Sequence, residues 1–152
     1  MNDSNEFREL IREIERKLGL LNRDGNTTNS TQCCCKVSLA QCHALVEIGR
    51  LNNTTMKELS NILGLDKSTT SRTVESLVKK GYVIRTQSEK DKRCVNIRLD
   101  PKGEAVFQRI ESRMNEKFKN VFEEIQEDER AAVLQSMRIL VRALGKENFN
   151  GM

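Results

Sequence analysis

Two groups of residues in this chain have types and spacings suited to chemistry. The first is a run of three thiols, Cys33, Cys34 and Cys35, with Cys42 seven residues further on and His43 beside it. Such side chains offer soft ligands for zinc, copper(I), arsenite or an iron-sulfur cluster, or can be reversibly oxidised, and Lys36 next to them would lower a thiol pKa. Spacing restricts the options. Neighbours on a helix point about 100° apart and an i, i+7 pair is separated by roughly 10.5 Å, so one ion cannot join Cys35 and Cys42 on a regular helix. Chelation therefore needs Cys33–Cys35 to lie in irregular backbone, or to pair with Cys42 or with a thiol of a second subunit. In the structural alternative, Cys42 is a small core residue on the inward face of its helix and Cys94 a strand residue. No cofactor is required, and no CxxC pair names a particular metal; a soft metal or metalloid ion is the class that the thiols would accept.

The second group is cationic and rich in hydroxyls. Lys67, Ser68, Thr69, Ser71, Arg72, Thr73 and Ser76 fall within one short segment whose only carboxylate is Glu75, and Lys90, Asp91, Lys92 and Arg93 follow in a second cluster. Residues 50–99 hold eleven Lys and Arg against five Asp and Glu, a balance of +6 in a chain whose total is +4, so the remainder carries −2. This concentration is the footprint expected of a surface that binds double-stranded DNA, with affinity falling steeply with salt as counterions are released. Arg72 can donate two hydrogen bonds to O6 and N7 of guanine in the major groove, while small hydroxyls permit close approach to phosphates or base edges. The alternatives are a phosphate or intrahelical contact for Arg72, a solvated basic face for the segment, and ordinary edge protection for the second cluster.

Composition narrows the function classes. The chain has 152 residues and 37% hydrophobic content, enough for one domain or two small ones with a core that needs no staples. Its single His and the lack of a redox CxxC count against a thiol peroxidase or reductase, and no catalysis is expected. No apolar run approaches the roughly 18 residues of a membrane span, and the opening MNDSNEFRELIREIERK lacks the apolar centre of an export signal. A cytoplasmic protein without membrane contact is expected, with its five cysteines reduced and sequons such as those beginning at Asn26, Asn29 and Asn52 fortuitous.

The elements that must position these groups follow from periodicity. Phe7, Leu10, Ile11, Ile14, Leu18 and Leu21 predict an amphipathic helix over about 4–22, followed by a polar loop over 24–36. Ser38 caps a helix to Leu51 with Leu39, Cys42, Leu45, Val46 and Ile48 or Gly49 inward. Thr55 and Glu58 form a capping box for a short helix with Leu59, Ile62 and Leu63 inward. Gly64 ends it, and Asp66 caps a further helix that runs towards Gly81 with Val74, Leu77 and Val78 facing the core. YVIRTQ and VNIRLD predict a two-stranded ribbon around the charged SEKDKRC tip. Asp100 and Pro101 open a long helix carrying Phe107, Ile110, Met114, Phe118, Val121 and Ile125. A break at Gln126–Asp128 precedes a last helix with Val133, Met137, Leu140, Val141 and Leu144. Stripes on the first and last helices are most simply buried against a second copy, the alternative being an intramolecular bundle.

This series resembles the MarR family of winged helix-turn-helix regulators over nearly the whole chain. MKELSNILGLDKSTTSRTVESLVKKGYVIR is similar to the family's helix-turn-helix, Asp91-Lys92-Arg93 to its D-x-R wing pattern, and LDPKGEAV to the start of its dimerisation helix. Thr70 stands where the family usually has an apolar residue, though its methyl can pack, and the pattern does not call for three consecutive cysteines. The resemblance implies a mainly α fold with a small β-wing: a dimerisation helix and cysteine loop over 1–37, a winged helix-turn-helix over 38–100 and dimerisation helices over 101–152. It also implies Arg93 in the minor groove, oriented by Asp91, with Lys90 and Lys92 on phosphates. The function implied is that of a homodimeric regulator, a repressor of a palindromic operator, released by a small-molecule, metal or redox effector. The competing reading is a metal-binding or interaction protein that keeps the winged-helix shape without sequence-specific DNA binding.

Overall fold

The computed structural model describes residues 2–21 and 37–146; Cys33, Cys34, Cys35, Lys36 and the remainder of the loop predicted over 24–36 lie outside them. Two units make up the chain, Met1–Ser112 and Arg113–Met152, with the division inside a helix rather than in a linker. Among the described residues no helix is long and apolar enough to cross a membrane.

In the first unit, helix α1 (Asp3–Leu21) is as long as its periodicity predicts, yet none of its side chains is buried. Helix α2 (Leu39–Leu51) starts where Ser38 accepts from the Gln41 N–H and the Gln41 side chain accepts from the Ser38 N–H, a reciprocal cap. Strand β1 (Thr54–Thr55), helix α3 (Met56–Leu63) and helix α4 (Lys67–Lys79) follow, then strands β2 (Val83–Gln87) and β3 (Val95–Leu99). Helix α5 (Pro101–Glu123) begins with the Asp100 carboxylate accepting from the Lys102 N–H at 3.0 Å.

The predicted two-stranded ribbon is a three-stranded antiparallel sheet of order β1-β3-β2. Its extra strand pairs Thr54 with Ile97 and Thr55 with Asn96. Two residues carry too little pattern to be recognised as a strand from sequence, and Thr55 is also the N-cap of α3. Cys94 precedes β3 and is exposed in the hairpin instead of lying in a strand.

Leu45, Ile48, Leu59, Val74, Leu77, Val83 and Ile97, with Val106, Phe107 and Ile110 from the first half of α5, form the core. Two predicted core residues point outward. Leu39 is exposed, since Ala44 takes a place in the buried face with Cys42, Leu45 and Ile48. Ile62 is also exposed: the buried face of α3 lies between Leu59 and Ser60, and Ile62 falls about 110° away at 100° per residue. Ser60 is accommodated because its hydroxyl donates to the Met56 carbonyl at 2.8 Å. Gly103 is set by close approach, for a Cβ there would overlap the Tyr82 carbonyl where α5 meets the end of the helix-turn-helix.

In the second unit the predicted break is a single 3-10 turn, Glu127–Glu129, before helix α6 (Arg130–Lys146). Arg130 holds it, donating to the carbonyls of Ile125 at 3.0 Å and Glu123 at 3.2 Å while its guanidinium lies over the Phe122 ring. No residue of α6 is buried, and Phe118 and Val121 of α5 are exposed as well.

Candidate nucleic-acid interface

The interface starts from the turn between α3 and α4. Gly64 sits at φ 65°, ψ 29°, a left-handed conformation that costs little without a Cβ, and the Leu65 N–H donates back to the Ser60 carbonyl at 3.1 Å. Two residues on, Asp66 takes extended backbone, and its carboxylate accepts from the Thr69 N–H at 2.6 Å. The chain thus turns within three residues and α4 leaves with a fixed start.

Core contacts then set the rotation of α4. Thr70, Val74 and Leu77 are buried, so Ser68, Arg72, Glu75 and Lys79 occupy the opposite, exposed face. Thr70, the departure from an apolar residue, is fully buried without an orphan hydroxyl because it donates to the Asp66 carbonyl at 2.9 Å. Glu75 and Lys79 pair at 3.7 Å, which leaves Arg72 as the cation central to that face.

Of the seven residues singled out in this segment, Lys67, Ser68 and Arg72 are exposed, while Thr69, Ser71, Thr73 and Ser76 are half-buried. Most of the hydroxyls already have partners. Ser68 donates to Asp66 at 2.9 Å, Thr69 donates to the same carboxylate at 3.0 Å, and Thr73 donates to the Thr69 carbonyl at 3.0 Å. Ser76 instead accepts from the Gln41 side-chain amide at 2.5 Å, and the Gln41 carbonyl accepts from Lys80 at 2.8 Å. Ser76 is thereby tied to α2. Asp66 is held below the ordinary aspartate value of 3.8, first by the Thr69 N–H, then by the Ser68 and Thr69 hydroxyls, with Arg72 adding its charge.

Lys90, Asp91, Lys92 and Arg93 are all exposed at the tip between β2 and β3. Asp91 does act on Arg93, but through the main chain: its carboxylate accepts from the Arg93 N–H at 3.0 Å, and no salt bridge joins the two among the described residues. The Gln87 side chain donates to the Lys92 carbonyl at 2.7 Å and the Ser88 N–H to the Cys94 carbonyl at 2.9 Å, which closes the hairpin. Sequence reasoning missed Gln41 and Lys80, which fix Ser76, and Arg98 on the outward face of β3, counted only in the net charge.

The thiols are not gathered by the described residues. Cys42 is 7% exposed in the core beside Ala44 and Leu45, and no group of three His, Cys, Asp or Glu residues suited to a metal occurs among the described residues. Burial limits the access of a solvent-borne ion to Cys42. Cys33, Cys34 and Cys35 lie outside the described residues.

Residues 37–95 match the MarR family. A curated relative, an HTH-type transcriptional regulator of Clostridium symbiosum called BilQ, is 30% identical over 72% of this chain and 74% of its own. Among solved structures, a MarR protein from Peptoclostridium difficile is 26% identical with a TM-score of 0.75, over 100% of this chain and 95% of that one. Streptococcus pneumoniae FabT, solved in complex with DNA, shares the fold at a TM-score of 0.77 and 19% identity, over 93% and 97% of the two chains. With the helix-turn-helix, the basic hairpin and these relatives all agreeing, the chain belongs to the MarR family.

Proposed function

We propose that the protein is a dimeric DNA-binding regulator of transcription, a repressor that uses α4 in the major groove and the β2–β3 tip in the minor groove. The observation that carries this reading is the exposed face of Ser68 and Arg72, opposite the buried face of the same helix, in a chain whose fold is shared by a protein solved on DNA.

The paired state is supported by apolar side chains without a cover in the single chain: Phe7, Leu10, Ile14 and Leu18 on α1, Phe118 and Val121 on α5, and Leu134, Met137 and Val141 on α6. Apolar residues in such number mark an interaction surface. A twofold dimer carries two copies of α4 and requires half-sites about 34–36 Å apart on a palindromic operator.

The test is binding of the protein to its own upstream DNA at several salt concentrations. A steep salt dependence is expected, with Arg72→Ala losing discrimination at one base pair by about 1–3 kcal/mol and Arg93→Ala weakening binding. Binding that ignores salt and both substitutions would favour the winged-helix interaction protein instead. Release by a soft metal, metalloid or oxidant at Cys33–Cys35 is the finer part of the proposal and rests on the three adjacent thiols and Lys36 in the sequence. Unchanged release in a Cys33/Cys34/Cys35 triple serine variant would remove it.

A further inference from the structure

Resting on the reading of α4 as the helix that enters the major groove, we propose that Asp66 is a positioning residue that makes the Ser68 and Thr69 hydroxyls hydrogen-bond acceptors, so that they select a base carrying an exocyclic amino group, adenine or cytosine. A hydroxyl has one hydrogen, and an ionised carboxylate or a carbonyl has none to give. Where Ser68 meets one oxygen of Asp66 at 2.9 Å and Thr69 meets the other at 3.0 Å, each hydrogen therefore lies on the hydroxyl and points at Asp66. Only lone pairs remain to face outward. Thr70 and Thr73 commit their hydrogens in the same manner to main-chain carbonyls at 2.9 and 3.0 Å.

This polarity decides what the hydroxyls can bind. Phosphate oxygens, N7 and O6 of guanine, N7 of adenine and O4 of thymine are all acceptors and find no donor in these two hydroxyls; Lys67 and the first N–H groups of α4 remain for the phosphates. The donors that the major groove displays are the adenine N6 and cytosine N4 amino groups. Turning a hydroxyl round to reach a phosphate would break a charge-assisted bond about twice as strong as a neutral one. The Asp66 carboxyl, held low by the Thr69 N–H and the two hydroxyls, stays ionised at neutral pH and keeps both hydrogens where they are.

Arg72 has the opposite polarity, with donors and no acceptor, and lies one turn after Ser68 on the same face. One turn rises about 5.4 Å, so an amino-bearing base and the guanine taken by Arg72 should fall within about two base-pair steps in each half-site.

The experiment is selection from a randomised duplex library by the full chain, its Asp66→Asn variant and a Ser68→Ala/Thr69→Val variant. An asparagine keeps an oxygen for the Thr69 N–H and caps about as well as aspartate, but its amide donates to a hydroxyl and turns that hydrogen outward. The wild type should enrich adenine or cytosine over guanine and thymine by about tenfold at one position beside the guanine. In Asp66→Asn that preference should fall by about fivefold or more or pass to guanine or thymine, with the Arg72 guanine unchanged. Any gain in affinity from the lost negative charge should be equal for all sequences. Ser68→Ala/Thr69→Val, which leaves the cap in place, should lose the preference without acquiring the reverse one, and decides the matter if Asp66→Asn fails to fold. Enrichment of the same bases by the wild type and by the folded variants would overturn the proposal. A wild type that enriches no sequence would instead sink the DNA-binding reading beneath it.

Discussion

Asp66 has two tasks at the head of α4: its carboxylate satisfies a helix N–H and holds two hydroxyls. Because its pKa is depressed in the folded chain, its contribution to stability is complete at neutral pH, persists down to the ordinary aspartate range near 3.8, and is lost as pH falls through the lower folded value. The stability gap between wild type and Asp66→Ala, from urea unfolding across pH, should therefore be constant above the ordinary range and close below it. A gap that closes between pH 7 and 5 would contradict the cause assigned to the shift. The sequence made the cap legible, since Asp before a hydroxyl-rich helix start is a local signal. It concealed the direction of the hydroxyl hydrogens, which depends on side chains one turn back. Thr70 is similar: its burial follows from the helix period, but the bond to the Asp66 carbonyl that permits it needs coordinates.

Element by element, the helices were legible because capping chemistry and the 3.6-residue period act within a few residues. Ser38, Thr55, Gly64 and Asp66 stand at the boundaries where their chemistry predicts them. Errors arose where tertiary packing chose between faces, as at Leu39 and Ile62, or where the element was too short to have a period, as in β1. Thr55→Ala should cost about 1 kcal/mol, as loss of an N-cap does. A cost well above that would mean that the β1 pairing fails with it, and thermal unfolding with near-ultraviolet dichroism can separate the two. Gly103→Ala should be worse than its helix propensity implies, because the added methyl meets the Tyr82 carbonyl; about 1–3 kcal/mol is expected for overpacking. Lys102 spans the same junction, donating to the Lys80 carbonyl at 3.3 Å and lying over the Tyr82 ring.

For the whole molecule, the sequence predicted that the outer helices keep apolar stripes, and the structure leaves them open: Ile14 is 49% and Val141 67% exposed. Ile14→Glu and Val141→Glu should each leave the helical content of the chain intact, since neither side chain is buried in it. They should shift light scattering from two chains to one and shorten the protected region on DNA. A scattering mass that stays at two chains for both variants would place the pairing surface elsewhere. The peptide Thr54–Thr55 belongs at once to the sheet, through Ile97 and Asn96, and to the start of α3, where the Glu58 carboxylate accepts from the Thr54 hydroxyl and the Thr55 N–H. The consequence concerns permitted changes in chain length. An insertion between Thr54 and Met56 would pull apart two structures at one stroke, whereas extra residues between Glu89 and Asp91 would lengthen the tip while leaving the Asp91–Arg93 and Ser88–Cys94 bonds at their spacing, making that hairpin the place where reach can change.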